Sequence, residues 1–140
     1  MLRDDPLGQG REIAPDDRSG AIDPAYLESF EALDRNPDHM VLAMDVDGRL
    51  GGSCIVSFLP GLSHGGGWRG QVEDVRVHRD LRGTGLGRAM LQHAVDLCRD
   101  RGCVLVQLTT NRARPDAQAF YDSLGFEPSH VGYKLYLDRG

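Results

Sequence analysis

One run of residues in this 140-residue chain has the types and spacing to do chemistry: Arg82-Gly83-Thr84-Gly85-Leu86-Gly87-Arg88. Glycines at alternate positions let the backbone turn tightly and come close to a ligand. The residues that follow read as a helix, whose first-turn N–H groups lack intrahelical partners and point outward as an anion site. Arg82 and Arg88 add positive charge there. A diphosphate is the guest this arrangement suits. A dinucleotide fingerprint would read G-x-G-x-x-G, with an acid about 20 residues later at the end of a second strand. Here the spacing is G-x-G-x-G, and the next strand candidate, Val104–Thr110, ends in threonines. A nucleotide P-loop needs Gly-Lys-Ser/Thr, and the only lysine of the chain is Lys134. Taken alone, the glycines also permit a plain strand-to-helix turn that binds nothing.

The neighbouring elements must position that turn. Gln71–Val77 alternates toward a β-strand, with Val75 and Val77 on one side and Asp74 and Arg76 on the other. His78–Leu81 is a short polar link. Leu86, Met90, Ala94 and Leu97 then recur at helical spacing with Leu91 and Cys98 beside them, and Gly102 stands where a left-handed cap would end the helix. Upstream, Met1–Gly20 is polar without apolar period and reads as loop or a partly ordered start. Asp23 and Pro24 cap and open a helix to about Asn36, with Tyr26, Leu27, Phe30 and Leu33 on one face and Leu27 and Leu33 packed on a sheet. Met40–Met44 and Leu50–Leu59 pair through a turn at Asp45-Val46-Asp47-Gly48, and Gly51-Gly52 marks a bulge or a close backbone approach. Pro60–Gly70 is a flexible loop carrying His64 and Trp68. Downstream, Val104–Thr110 is a buried strand, and Pro115 starts a helix that Gly125 ends after Leu124. Ser129–Leu137 is expected as a final strand, with Val131, Tyr133, Leu135 and Leu137 on one face.

Arg82-Gly83-Thr84-Gly85-Leu86-Gly87 resembles the Arg/Gln-x-x-Gly-x-Gly/Ala pattern of the GNAT superfamily, the acyl-coenzyme A-dependent N-acyltransferases. The likeness extends upstream to Val75-Arg76-Val77. Downstream it takes in Asn111 and Phe120-Tyr121-Asp122-Ser123-Leu124-Gly125-Phe126, and it covers Leu42 to the C-terminus. It implies a single α/β (α+β) domain over residues 1–140, with a central mixed, mostly antiparallel sheet flanked by helices. The strand and helix with which such domains open are not visible in Met1–Gly20, so the first strand is expected to be missing or truncated, leaving a sheet edge for a second copy to cover.

By the same resemblance, acetyl-coenzyme A would donate an acetyl group to a primary amine, small-molecule or protein, by direct attack in a ternary complex. Backbone N–H groups from Arg82 to Arg88 would hold its diphosphate, and Val75, Arg76 and Val77 would pair with its pantetheine arm. Asn111 would touch that arm and Phe120 would pack on it, while Tyr26 and Phe30 would line the acceptor pocket. Tyr121 would be the general acid to the departing thiolate. A phenol with a pKa near 10 stays protonated at neutral pH and can donate to a thiolate whose acid lies near 8.5. Glu73 would accept the amine proton through water, sharing a strand face with Gln71, Val75 and Val77, whereas Asp74 points away unless a bulge shifts the register. A cysteine acyl-enzyme is disfavoured, because no cysteine falls in the expected site. A coenzyme A-binding regulatory module without turnover is the alternative.

The bulk numbers narrow the partners. With 16 basic against 21 acidic residues the net charge is −5, which argues against nucleic acid or an anionic membrane as main partner and suits a cationic acceptor. Cys54, Cys98 and Cys103 show no metal or redox spacing; Cys54 and Cys98 lie on apolar patterns and are expected as buried, reduced thiols. The five histidines are scattered without ligand spacing, so no metal is expected. No apolar run approaches the 18 or so residues of a membrane span, and no signal-peptide core is present. The expectation is a soluble, cytoplasmic homodimer.

Overall fold

The computed structural model describes residues 21–138, so the expectations for Met1–Gly20 lie outside the described residues. The chain forms two compact units, one ending at Leu108 and one beginning at Thr109.

The first unit runs α1 (Pro24–Arg35), β1 (His39–Val46), β2 (Arg49–Leu59), a single helical turn α2 (Ser63–Gly66), β3 (Arg69–Val77), a 3-10 turn (Arg79–Leu81), α3 (Leu86–Asp100) and β4 (Leu105–Gln107). The sheet order is β1-β2-β3-β4. β1 and β3 both run antiparallel to β2, and β4 runs parallel to β3, which makes the sheet mixed and mostly antiparallel. Local chemistry sets each boundary. Asp23 accepts a hydrogen bond from the Ala25 N–H at 2.8 Å, capping α1 just before Pro24. The β1–β2 connection is two residues, Asp47 at φ 52 and Gly48 at φ 78, the left-handed pair whose twist matches a hairpin. The Asp45 carboxylate accepts from the Gly48 N–H at 2.9 Å.

Gly51 and Gly52 fulfil both expectations placed on them. Met44 pairs with Gly52 and Asp45 with Leu50, leaving Gly51 as the extra residue of a bulge. A Cβ on Gly52 would lie 3.1 Å from the Arg76 carbonyl oxygen.

The core lies between α3 and the sheet. Met90, Leu91, Ala94 and Cys98 are buried against Cys54, Val56, Phe58 and Val72. At Gly70 the two layers are in close contact: a Cβ there would stand 2.2 Å from Cys98 Sγ. All three cysteines are free. Burial pushes the thiols of Cys54 and Cys98 up to about 11. At the end of α3 the Gly102 N–H donates to Arg99 O at 3.0 Å and the Cys103 N–H to Cys98 O at 2.9 Å. With Gly102 at φ 77, these bonds form the Schellman cap expected there. α1 differs from expectation. It contributes no buried residue, and Leu27 is 47 % exposed, because α1 packs on the edge strand β1 whereas α3 lies over β2, β3 and β4.

In the second unit, α4 (Pro115–Ser123) begins on Pro115, as expected. It too ends in a Schellman cap, with Gly125 at φ 88 and bonds from the Gly125 N–H to Asp122 O (3.0 Å) and the Phe126 N–H to Tyr121 O (3.1 Å). The final strand is not formed. Residues 127–138 enter no ladder, and Tyr133, Leu135 and Leu137 are 93, 87 and 81 % exposed. An alternating sequence makes a segment competent for a strand, but a strand exists only where another completes its hydrogen bonds. Among the described residues no helix is long and apolar enough to cross a membrane.

Candidate functional site

β3 carries the first part of the site, and its register differs from simple alternation. Ser53 pairs with Arg76 and Ile55 with Glu73, so Asp74 and Val75 together oppose Cys54 in a bulge. Asp74 takes φ 50, a left-handed conformation that aspartate tolerates better than most side chains. The extra residue reverses the parity of everything after it. Gly70 and Val72 face α3, as the approach of Cys98 to Gly70 and the burial of Val72 show. A Cβ on Gly52 would meet Met90 Sδ at 3.5 Å, so its partner Val77 also faces α3, and Val75 with it. Glu73 therefore does not share a face with Val75 and Val77. It lies with Gln71 and Arg76 on the face away from α3, and it is exposed.

β3 also outruns its neighbour. The β3–β4 ladder has its last pair at Gln71 and Gln107, while β3 continues to Val77. The side chains of these two residues are joined by a 2.7 Å hydrogen bond at the point where the strands part. β4 is accordingly shorter than the expected Val104–Thr110. A bulged strand bends and twists more strongly, and β3 bulges just beyond that last pair.

Beyond Val77 the chain turns into the glycine segment. The His78 N–H donates to Gly51 O at 2.8 Å, and His78 Nδ1 accepts from the Asp80 N–H at 3.2 Å. Arg82 Nε donates to Val77 O at 3.3 Å, and Thr84 Oγ to Leu81 O at 2.5 Å, holding the turn against the strand end. Gly83 and Gly85 have φ 78 and 87, which require glycine, and added Cβ atoms would meet nothing within 4 Å. Gly85 is the N-cap of α3, and the first backbone bond of that helix runs from the Ala89 N–H to Gly85 O at 3.1 Å. The amides of Leu86, Gly87 and Arg88 stand ahead of it at the positive end of the helix. Arg82, Thr84 and Arg88 are exposed. Geometry, electrostatics and space here all suit an anion.

Elsewhere in this unit, Tyr26 is half-buried on α1 and Phe30 is exposed. Among the described residues no group of His, Cys, Asp or Glu could hold a metal ion.

In the second unit, Phe120 and Tyr121 are half-buried neighbours on α4 with ring centroids 5.3 Å apart. Tyr121 also meets the Phe126 ring edge-on at 5.9 Å, the apolar contact that accompanies a Schellman cap. Asn111 Oδ1 accepts from the Ala113 N–H at 2.9 Å, shaping the loop that enters α4. Sequence reasoning missed the Gln71–Gln107 link and the left-handed Asp74. Only pairing between strands reveals either.

The profile of the Acetyltransferase (GNAT) family matches residues 8–126, and the chain belongs to this family. Two curated relatives are similar over part of their lengths. A glucosamine 6-phosphate N-acetyltransferase of Trypanosoma brucei brucei is 35% identical over 90 residues, 64% of this chain and 59% of the relative. An aminoalkylphosphonate N-acetyltransferase of Salmonella typhimurium is 34% identical over 74 residues, 53% of this chain and 48% of the relative. The chain thus spans 59% and 48% of these proteins. The crystal structure of a transcriptional regulator from Bacillus halodurans C-125 superposes with a TM-score of 0.92 at 35% identity, covering 98% of this chain and 89% of that one.

Proposed function

We propose that the chain is an acetyl-coenzyme A-dependent N-acetyltransferase that acetylates a primary amine by direct attack in a ternary complex. The observation that carries this is the path along β3. The strand outruns β4 from Val72 to Val77, then passes through Gly83 and Gly85 to the positive end of α3. An extended pantetheine arm can add to such a strand as another strand would, and a diphosphate fits the open backbone of the turn. Bound there, acetyl-coenzyme A would supply the activated acyl group.

The residues then divide the remaining work. Backbone N–H groups of Gly83 to Arg88 hold the diphosphate, and the Arg82 and Arg88 guanidiniums add charge. An N–H in Val75–Val77, beyond the bulge, donates to the acyl oxygen as it gathers negative charge. Glu73, on the exposed face, takes the amine proton through water, and the Tyr121 hydroxyl donates to the departing thiolate. Asn111 and Phe120 steady the pantetheine arm, and Tyr26 and Phe30 bound the acceptor.

For the acceptor, the names of two relatives point to small amines bearing a phosphate or phosphonate. A second reading, coenzyme A binding without turnover, draws on the regulator that matches 98% of the chain. The test is calorimetric binding of acetyl-coenzyme A followed by thiol release with glucosamine 6-phosphate, aminoalkylphosphonates and neutral amines, with Gly85→Glu as control. Micromolar binding lost in the variant, with release for a phosphorylated amine, is expected. Binding with no release for any amine selects the second reading, and no binding by folded wild type overturns both.

A further inference from the structure

Four hydrogen-bonding side chains cross the sheet in one row on the face away from α3. His39 pairs with Ser57, Ser57 with Gln71 and Gln71 with Gln107. They are bonded two by two: His39 Nδ1 lies 2.8 Å from Ser57 Oγ, and Gln107 Nε2 donates to Gln71 Oε1 at 2.7 Å. The two bonds stand in different settings. His39 and Ser57 belong to a ladder that runs on to Val46 and Arg49. Gln71 and Gln107 close a ladder of only three pairs, the others being Arg69 with Leu105 and Gly70 with Val106. Among the described residues no further pair of these two strands follows, so this bond sits at the fork itself.

We propose that the Gln71–Gln107 bond is a clasp that sets where β3 and β4 part, and that these two residues thereby position the cofactor arm. This rests on the reading that acetyl-coenzyme A lies along β3. A ladder of three pairs is short, and parallel pairing is the weaker kind. Its inner part is backed by α3, since Gly70 lies directly against Cys98. Its outer end has no such support, and three residues further on β3 bends at the Asp74–Val75 bulge. A side-chain bond across the last pair supplies the link that the departing backbones do not make. Without it the last pair opens and the fork retreats to Gly70 and Val106. β3 then presents a longer free edge, on which an extended arm can pair in more than one register. Registers that keep the same face differ by two residues, roughly 6.6 Å. That distance would carry a thioester away from the N–H groups of Val75–Val77.

The experiment is amide hydrogen exchange on the whole chain, with and without acetyl-coenzyme A, alongside calorimetry and urea unfolding. Gln107→Leu removes the bond. Gln71→Glu and Gln107→Glu each keep it, because the remaining glutamine can turn its amide N–H toward the carboxylate. The double glutamate variant sets two charged carboxylates together at about pH 8 and breaks it. Gln71 is half-buried and Gln107 exposed, so these variants should fold. In Gln107→Leu and the double variant, exchange at residues 105–108 should rise about tenfold or more, with unchanged urea midpoints. Both single glutamate variants should exchange like wild type. Protection by acetyl-coenzyme A, confined to 72–77 in wild type, should spread to 70 and 71 in Gln107→Leu, with Kd within about threefold. Wild-type exchange in Gln107→Leu overturns the proposal, and so does a double variant no worse than the two single ones. A footprint that stays at 72–77 when the fork has opened overturns the positioning role. Absence of acetyl-coenzyme A binding by folded wild type strikes the proposed function and the positioning role with it, while exchange in the free protein still decides whether the clasp holds the fork.

Discussion

Gly70→Ala tests how the strand that carries the site is held against its helix. Gly70 pairs with Phe58 on β2 and Val106 on β4, and its φ is not left-handed, so the site requires glycine for space alone. An added Cβ would lie 2.2 Å from Cys98 Sγ and 3.1 Å from Cys98 Cβ, while Val106 Cγ2 at 3.7 Å is an ordinary contact. Cys98 is fully buried on α3 beside Met90, Leu91 and Ala94, so its sulfur cannot swing away without moving the helix. Overpacking of this kind costs about 1–3 kcal/mol, and a clash this close belongs near 3. Cys98→Ala alone removes one buried sulfur and should cost about 1 kcal/mol. If the sulfur is what excludes the methyl group, the double variant is more stable than Gly70→Ala alone. It should fall about 2 kcal/mol below wild type rather than the 4 that independent sites would give. The remainder reflects the 3.1 Å approach to Cys98 Cβ, which persists when the sulfur is gone. Urea unfolding followed by circular dichroism measures all four proteins, and the comparison is valid where the m-values agree. Additivity within about 0.5 kcal/mol, or a Gly70→Ala variant as stable as wild type, would refute the packing argument.

Three further outcomes follow from the geometry. Tyr121→Phe keeps the ring that meets Phe126 and removes only the hydroxyl, so the edge contact at the end of α4 is preserved. In a thiol-release assay kcat should fall roughly 10²-fold or more, with acetyl-coenzyme A binding retained; unchanged turnover removes the acid role from this residue. At the left-handed Asp74, Val should cost roughly 1–3 kcal/mol while Gly is neutral or stabilising, read as urea midpoints; equal midpoints would mean that the bulge imposes no strain. Finally, burial raises the Cys54 thiol from its ordinary 9.0 to about 11. A raised thiol pKa means that the unfolded chain loses its proton first, so the contribution is intact below pH 9 and declines as pH rises toward 11. The stability difference between wild type and Cys54→Ala should therefore shrink by about 2 kcal/mol between pH 8 and 10.5, and a difference that stays constant with pH contradicts this.

How much of this was legible in the sequence depended on the range of the interaction. The caps at Asp23, Gly102, Pro115 and Gly125 each stand where a local pattern puts them, because a cap is settled within a few residues. The buried face of α3 followed from its spacing for the same reason. The β1–β2 hairpin was equally readable, down to the bulge at Gly51, since a left-handed Asp-Gly pair fixes the strands it joins. The bulge at Asp74 entered only as a proviso: nothing in Glu73-Asp74-Val75 selects it over regular alternation, and it exists only in register with Cys54. That single extra residue reverses which side chains of β3 face α3, and with them the surroundings assigned to Glu73. Ser129–Leu137 failed for the opposite reason. Its pattern is a good strand pattern, but the ladder that would complete it is absent from the chain's own sheet.

The aromatic motif shows how a resemblance can say less about chemistry than its length suggests. In Phe120-Tyr121-Asp122-Ser123-Leu124-Gly125-Phe126, the backbone of Tyr121, Asp122, Gly125 and Phe126 is engaged in the cap that ends α4, and the rings of Tyr121 and Phe126 supply its apolar contact. A helix ending this way asks for glycine at one position and an apolar residue at the next whether or not the protein is a catalyst. The cap explains Gly125 and Phe126 in full, and it explains the ring of Tyr121. It does not explain the hydroxyl, since phenylalanine would make the same edge contact. What the proposed acid role asks of Tyr121 is thus one oxygen atom, and the glycine turn is the separate and stronger support for the proposed function, because Gly83 and Gly85 adopt left-handed backbone where no packing forbids a side chain. The proposed diphosphate turn and the proposed acid Tyr121 consequently rest on separate observations, and loss of the tyrosine hydroxyl can abolish turnover while acetyl-coenzyme A binding persists.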